Sequence, residues 1–165
     1  MFLASRFSGR PTVRRRLFVP RLDPLEGRSL PSTLTVSNNL DHGPGSLRAQ
    51  IAAAGNNDTI DFAASLTGQT IALTSGELVV AKSVDIEGPG AANLTISGSD
   101  ASRIFHINDK TKVTIAGLTI AHGSAIQGAG IDNAGGKLIV ANCVIADNRV
   151  AAVAGGDALG GRHLQ

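Results

Sequence analysis

Asp85 and Glu87 stand two residues apart in the string Val84-Asp85-Ile86-Glu87. On an extended strand both carboxylates leave the same face, where a pair can relay protons or hold a cation. Both are expected to face solvent, with Thr114 and Ile139 at the neighbouring levels and no third carboxylate, Arg or Lys one coil away on that face. A solvated strand face is therefore the expectation, and catalysis is not. Asp58 and Asp61 bracket Thr59-Ile60. Asp58 is expected to shape a corner by accepting nearby backbone N–H groups, in preference to a metal-ligand role. The four histidines, His42, His106, His122 and His163, lack metal-ligand spacing such as i, i+4 on a helix, so each is expected at the surface. His106 should point away from its inward neighbours Phe105 and Ile107. Cys143, the only cysteine, can form no internal disulfide. In the apolar string Cys143-Val144-Ile145, with no His or Lys beside it to lower its pKa, it is expected to be a small buried hydrophobe and not a reactive thiol. The glycine-rich stretches 128–136 and 155–161 carry neither the Gly-Lys-Ser/Thr ending of a phosphate loop nor a Gly-Gly-x-Gly-x-Asp calcium series, and are expected to be corners and loops. No catalytic, cofactor-binding or metal-binding residue is assigned from the sequence, and no cofactor is expected.

Composition narrows what could position these groups. The 165 residues include no Trp or Tyr, five Phe and twenty Gly. A core so poor in aromatics must be built from Ile, Leu, Val and Ala, which stack well when small units repeat. The formal net charge of +2 divides unevenly: residues 1–32 hold seven Arg against two acids, and the rest holds eight basic and eleven acidic residues. The basic part lacks interleaved aromatics or a repeated Lys/Arg face, so nucleic-acid binding is not expected. No run of eighteen apolar residues exists, so no membrane-spanning helix is expected. Residues 1–32 also lack the apolar middle of an ordinary signal peptide and read as a disordered basic leader.

From Thr33 onward the chain breaks into short β-rich strings separated by Gly, Asn and Asp. Thr33-Leu34-Thr35-Val36 reads as a first strand. Gly43-Pro44-Gly45-Ser46 then forms a turn ending in an N-cap, and Leu47, Ile51 and Ala54 fall at i, i+4 and i+7, predicting one amphipathic helix over 46–54. Beyond it, strings of three to five residues at 59–62, 70–73, 78–80 and 84–87 are too short for an ordinary sandwich and suit the rungs of a solenoid. The repeat is visible directly. Leu94-Thr95-Ile96 recurs 24 residues on as Leu118-Thr119-Ile120, and 25 further on, more loosely, as Cys143-Val144-Ile145. Val84-Asp85-Ile86, Val113-Thr114-Ile115 and Leu138-Ile139-Val140 step by 29 and 25, the longer step being attributed to a loop at 98–102. A third strand per coil is expected at 105–107 and 131–133. Three short strands in each coil of about 25 residues predict a triangular parallel β-helix. Gly117 and Asn142 occupy matching corners that need left-handed φ. Leu94, Leu118 and Cys143 should form one inward column, and Ile96, Ile120 and Ile145 another.

The succession Pro44-Gly45-Ser46-Leu47-Arg48, residues 57–62, Gly68-Gln69-Thr70-Ile71, residues 88–98 and residues 113–123 resembles the start of bacterial β-helix proteins of the pectin-lyase-like and polymorphic outer-membrane-protein repeat type. The resemblance covers roughly residues 33–161. It implies an all-β, right-handed, single-stranded parallel β-helix whose N-terminal end is capped by the short helix. Members are typically much longer, and many are surface or autotransporter-like proteins without known catalysis. Leu25-Glu26-Gly27-Arg28-Ser29-Leu30 resembles a short N-terminal motif of large exported bacterial proteins. The organisation expected is a leader over 1–32, a cap with about three coils over 33–161, and an aberrant or truncated end at 162–165. The open last coil would leave an unpaired edge prone to self-association. The function expected is a non-catalytic, adhesin-like scaffold that is secreted or at the cell surface or outer membrane. Surface glycans or other surface proteins are its expected partners. A carbohydrate-active lyase or hydrolase of the same fold and a non-functional remnant of a longer gene are the alternatives.

Overall fold

The computed structural model describes residues 30–151, so residues 1–29 of the leader expected over 1–32, and the end expected at 162–165, lie outside the described residues. Its elements run β1 (Thr33–Val36), α1 (Leu47–Ala53), β2 (Asp58–Phe62), β3 (Gln69–Ala72), β4 (Leu78–Val80), β5 (Val84–Glu87), β6 (Leu94–Ser97) and β7 (Phe105–Ile107). They continue with β8 (Lys112–Ala116), β9 (Thr119–Ala121), β10 (Ser124–Ala125), β11 (Ile131–Asn133), β12 (Lys137–Ala141), β13 (Val144–Ala146) and β14 (Arg149–Val150). Strands are assembled into a five-stranded sheet β1-β2-β5-β8-β12, a four-stranded sheet β3-β6-β9-β13, a three-stranded sheet β4-β7-β11 and the small pair β10-β14. Every pairing is parallel. From β2 onward the chain visits the three larger sheets in the same rotation, which makes the fold a parallel β-solenoid.

Two-residue alternation explains why these strings become rungs. In β8 Val113 and Ile115 are buried while Lys112 is exposed and Thr114 half-buried. The register stacks like on like: Ile60 on Ile86, Ile86 on Ile115 and Ile115 on Val140 in the five-stranded sheet. In the four-stranded sheet Ile71, Ile96, Ile120 and Ile145 form one column. Because Thr95, Thr119 and Val144 are in register, Leu94, Leu118 and Cys143, each one residue earlier, stack in the next column. Leu94 and Leu118 are buried, and Cys143 packs against the core at its margin. Removing each such Ile or Leu from water stabilises the fold by about 1.5–3 kcal/mol.

The turns number more than the three expected. The five-stranded sheet has five levels, because β1 and β2 carry the stack two levels further towards the N-terminus. Their spacing of 26 residues, Thr33 to Thr59 and Thr59 to Asp85, was present in the sequence, but no shared triplet marks it. The account of the 29-residue step also changes. Residues 98–102 lie inside the 24-residue step from Leu94 to Leu118 as well, so they cannot lengthen one step and not the other. The extra residues are 88–93, a turn between β5 and β6 that folds over the next corner through Gly88 N–H to Ala116 O (2.8 Å) and Gly90 N–H to Gly117 O (3.0 Å).

Gly117 and Asn142 adopt φ of 64° and 53°, as their corner positions require. At Gly117 a Cβ would sit 2.6 Å from Gly88 O, so glycine is needed for space as well as for conformation. The helix is seven residues long, about two turns. Ser46 Oγ accepts from Ala49 N–H at 3.2 Å, Leu47 and Ile51 are buried, and α1 packs against β1 and β4. Asp41 and Arg48 pin it. Arg48 donates to Asp41 Oδ1 (2.7 Å), Gly76 O (2.6 Å) and Glu77 O (2.7 Å). Asp41 Oδ2 accepts from Thr74 N–H, Thr74 Oγ1, Ser75 N–H and Ser75 Oγ. Burial alone would raise the Asp41 pKa. The hydrogen bonds from Ser75, Arg48 and Thr74 outweigh it and hold the carboxyl well below the usual range.

Candidate functional site

The densest group of acids and bases among the described residues lies on the outward face of the three-stranded sheet. Parallel register places Val79, His106 and Asp132 in one row across β4, β7 and β11, between the buried columns Leu78–Phe105 and Val80–Ile107. His106 therefore points outward, as its position between Phe105 and Ile107 predicts. Its Nδ1 lies 2.9 Å from Asp132 Oδ2. Arg103, two residues before β7, reaches over the row: Nη1 donates to Glu77 Oε2 at 2.8 Å, lies 3.3 Å from Asp132 Oδ2 and 3.3 Å from His106 Nδ1, and Nη2 donates to Gln127 O at 3.1 Å. Glu77, Arg103 and Asp132 belong to three successive turns, so one guanidinium bridges carboxylates above and below it.

The chemistry open to this row follows from its charges. The shorter contact to Asp132 favours a proton on His106 Nδ1 donated to the carboxylate, which leaves Nε2 as the acceptor. A carboxylate-oriented imidazole is a competent general base in principle. The guanidinium beside it, however, is held between two carboxylates and is not free to grip an anionic substrate. Two hollows at the surface lie elsewhere. One is lined by Asn57, Ser83, Val84, Asp85 and Lys112, and the other by Asn39, Leu40, Asp41, His42, Thr70, Ala72 and Thr74.

The remaining sequence candidates are dispersed. Asp85 is half-buried and Glu87 exposed on the outward face of β5, with Thr59 and Thr114 on either side of Asp85. The expectation that no other charge shares that face does not hold. Asp61, one residue beyond the Ile60–Ile86 pair, comes level with Glu87 one turn earlier, and Lys112 lines the hollow beside Asp85. For Asp61 the reason is the register of β2, which the sequence repeat did not reveal. Asp58 shapes the corner as expected: it accepts Ser32 N–H at 2.8 Å and Gly55 N–H at 2.7 Å, and those bonds lower its pKa. His122 Nδ1 lies 3.7 Å from Asp100 Oδ1, His42 is exposed, and His163 lies outside the described residues. Cys143 is half-buried, with Sγ 3.3 Å from Ala141 O and 3.5 Å from Ile115 O. Of the glycine-rich stretches, 128–136 forms the corners around β11, with Gly128 and Gly135 at positive φ, and 155–161 lies outside the described residues. No group of three His, Cys, Asp or Glu gathers at metal-binding distance among the described residues. No described helix is long and apolar enough to cross a membrane.

Sequence reasoning missed the Glu77–Arg103–His106–Asp132 row, although half of its signal was available. Once residues 105–107 and 131–133 are read as the third strands of successive coils, His106 and Asp132 must be neighbours. Glu77 and Arg103 lie outside the strands, and their meeting depends on side-chain reach. Compared with protein-family models and with curated proteins, the chain matches none.

Proposed function

We propose that this chain is a stretch of a right-handed, pectin-lyase-like β-helix serving as a non-catalytic scaffold at the cell surface or in the secreted fraction of a bacterium. Surface glycans or other surface proteins are the partners that such a wall of short rungs would meet. One observation carries the reading. The charged row on the three-stranded sheet is spent on itself, with Arg103 tied to Glu77 and Asp132 and His106 tied to Asp132. A row so paired staples three turns together and leaves no free cation to bind an acidic sugar. On the four-stranded sheet the outward positions are uncharged, as in Thr70, Thr95 and Thr119 on successive strands. Such hydroxyls offer no acid or base of shifted pKa.

The enzyme reading, a polysaccharide lyase or hydrolase, has one observation in its favour, the His106–Asp132 dyad, in which the carboxylate orients the imidazole through Nδ1. The two are separated by incubating the chain with acidic and neutral polysaccharides and following both retention and release of unsaturated or reducing sugar ends. Retention without release supports the scaffold. Release that is abolished in His106→Ala and Asp132→Asn, with folding intact by circular dichroism, supports the enzyme and sinks the scaffold.

A further inference from the structure

The hollow beside the cap has walls that are fixed before anything enters it. In β3, Thr70 and Ala72 flank buried Ile71, and Thr74 follows buried Leu73, so all three leave the outward face of the first rung of the four-stranded sheet. Over them stands the loop 37–45. Ser37 N–H donates to Gly45 O at 2.9 Å, Asn38 Nδ2 to Pro44 O at 2.8 Å and Leu40 N–H to Asn38 Oδ1 at 3.1 Å. The Asp41 carboxylate ties the same loop to the backbone N–H groups of Thr74 and Ser75. A wall pinned in this way needs no ordering when a ligand arrives, which removes part of the cost of binding. Between loop and strand lies a space of about 430 Å³, inside the range of about 300–1,000 Å³ typical of small-ligand sites. Both walls are interior to the described residues, so the hollow is not made by where they stop.

The lining selects the class of ligand. Leu40, 60% exposed, and Ala72 supply an apolar floor. Around it Asn39, His42 and Thr70 are exposed and bring an amide, an imidazole and a hydroxyl, which between them donate and accept. The lining holds no Lys, Arg or Glu, and its one carboxylate, Asp41, is buried and already bonded to Arg48, Thr74 and Ser75. A charged ligand would lose water there and gain no counter-charge. A sugar ring has an apolar C–H face to set on Leu40 and Ala72, and a hydroxyl edge for the three polar groups. The other hollow, beside Asp85 and Lys112, measures only about 40 Å³, room for water and not for a ring. We infer that the hollow between residues 39–42 and β3 binds an uncharged saccharide, with Leu40 and Ala72 against the ring and Asn39, His42 and Thr70 on its hydroxyls. This rests on the scaffold reading and gives its glycan partner a class and a place.

Nuclear magnetic resonance titration of the isotope-labelled 165-residue chain tests it, with neutral tetrasaccharides of α-glucan, β-glucan and mannan as probes and tetragalacturonate as the charged comparison. At least one neutral probe should give saturable shifts at Asn39, Leu40, His42 and Thr70, with a dissociation constant of about 1 mM, as a shallow site without aromatic side chains implies. Thr70→Arg, which fills the hollow from an exposed position, should weaken that binding about tenfold or more. Thr114→Arg, outward on the five-stranded sheet, should leave it unchanged. The absence of saturable shifts at these residues with all three neutral probes overturns the inference, and so does equal or tighter binding of tetragalacturonate. Contacts between residues 1–29 and the hollow in the free chain also overturn it, because the chain's own residues would then fill the space. Retention of a polysaccharide with no shift at the hollow sinks the site and leaves the scaffold reading standing. Titration of the unaltered chain decides the matter even if Thr70→Arg fails to fold.

Discussion

The first and last described turns of this solenoid contain the same kinds of residue and meet different fates. At the N-terminal end α1 closes the stack, and the Asp41–Arg48–Ser75 network fastens the helix to the turns below. At the far end of the described residues Leu138, Val140 and Ile145 continue the inward columns, yet nothing among the described residues lies over them. Ile120 and Ile145 are the same residue in the same column, one fully buried and one largely exposed. In a solenoid burial belongs to the stack and not to the side chain, because each rung is covered only by its neighbours.

The largest expected effect comes from exploiting that pair. Ile120→Ala should cost about 3–4 kcal/mol in urea unfolding of the isolated chain, whereas Ile145→Ala at low concentration should cost less than about 1 kcal/mol. Equal losses at the two positions would erase the distinction between interior and end.

Next in size is the fastening of the cap. Asp41→Asn keeps the shape but removes the charge that Arg48, Thr74 and Ser75 surround, and should cost about 2–3 kcal/mol. The same residue gives the closed end a pH dependence. Its folded pKa lies below the ordinary 3.8, so its stabilisation is complete above that value and is lost as pH falls below it towards the folded pKa. Acid titration of stability below pH 4 should therefore be shallower in Asp41→Asn than in the unaltered chain. Asp58, lowered by Ser32 and Gly55, acts in the same direction and remains in both.

Corners give a smaller contrast. Gly117→Ala puts a Cβ against Gly88 O in a left-handed corner and should cost about 2 kcal/mol. Asn142→Ala, at the matching corner one turn nearer the end of the described residues, should cost about 1 kcal/mol, measured by thermal unfolding. Arg103→Ala should have the least effect on stability, about 1 kcal/mol, because the row it staples is partly solvated.

Most of the architecture was legible in the sequence because its repeat is carried by residues that face inward. Leu94-Thr95-Ile96 and Leu118-Thr119-Ile120 share a register and a spacing, and the columns follow from them. Ser46 and the Leu47, Ile51, Ala54 stripe marked the cap helix for the same reason, since the burial pattern of a helix is written in its period. The strands of the two earliest levels were read, at 33–36 and 59–62, but not their place in the stack, because α1 is inserted between β1 and β2 and no shared triplet marks their spacing. The strands β10 and β14 also escaped notice: at two residues each they carry no alternation to read. The charged row was half legible. The His106–Asp132 pairing follows from strand register, but Arg103 joins Glu77 and Asp132 by a long flexible side chain that spacing does not specify.

The central claim is that inward side chains about 25 residues apart touch because successive turns stack at the strand spacing of about 4.8 Å. Methyl–methyl nuclear Overhauser contacts in a chain labelled at the isoleucine δ1 positions test this directly. The stack predicts an unbroken series of contacts from Ile71 to Ile96, from Ile96 to Ile120 and from Ile120 to Ile145. A folded sample in which Ile96 and Ile120 show no mutual contact would contradict it.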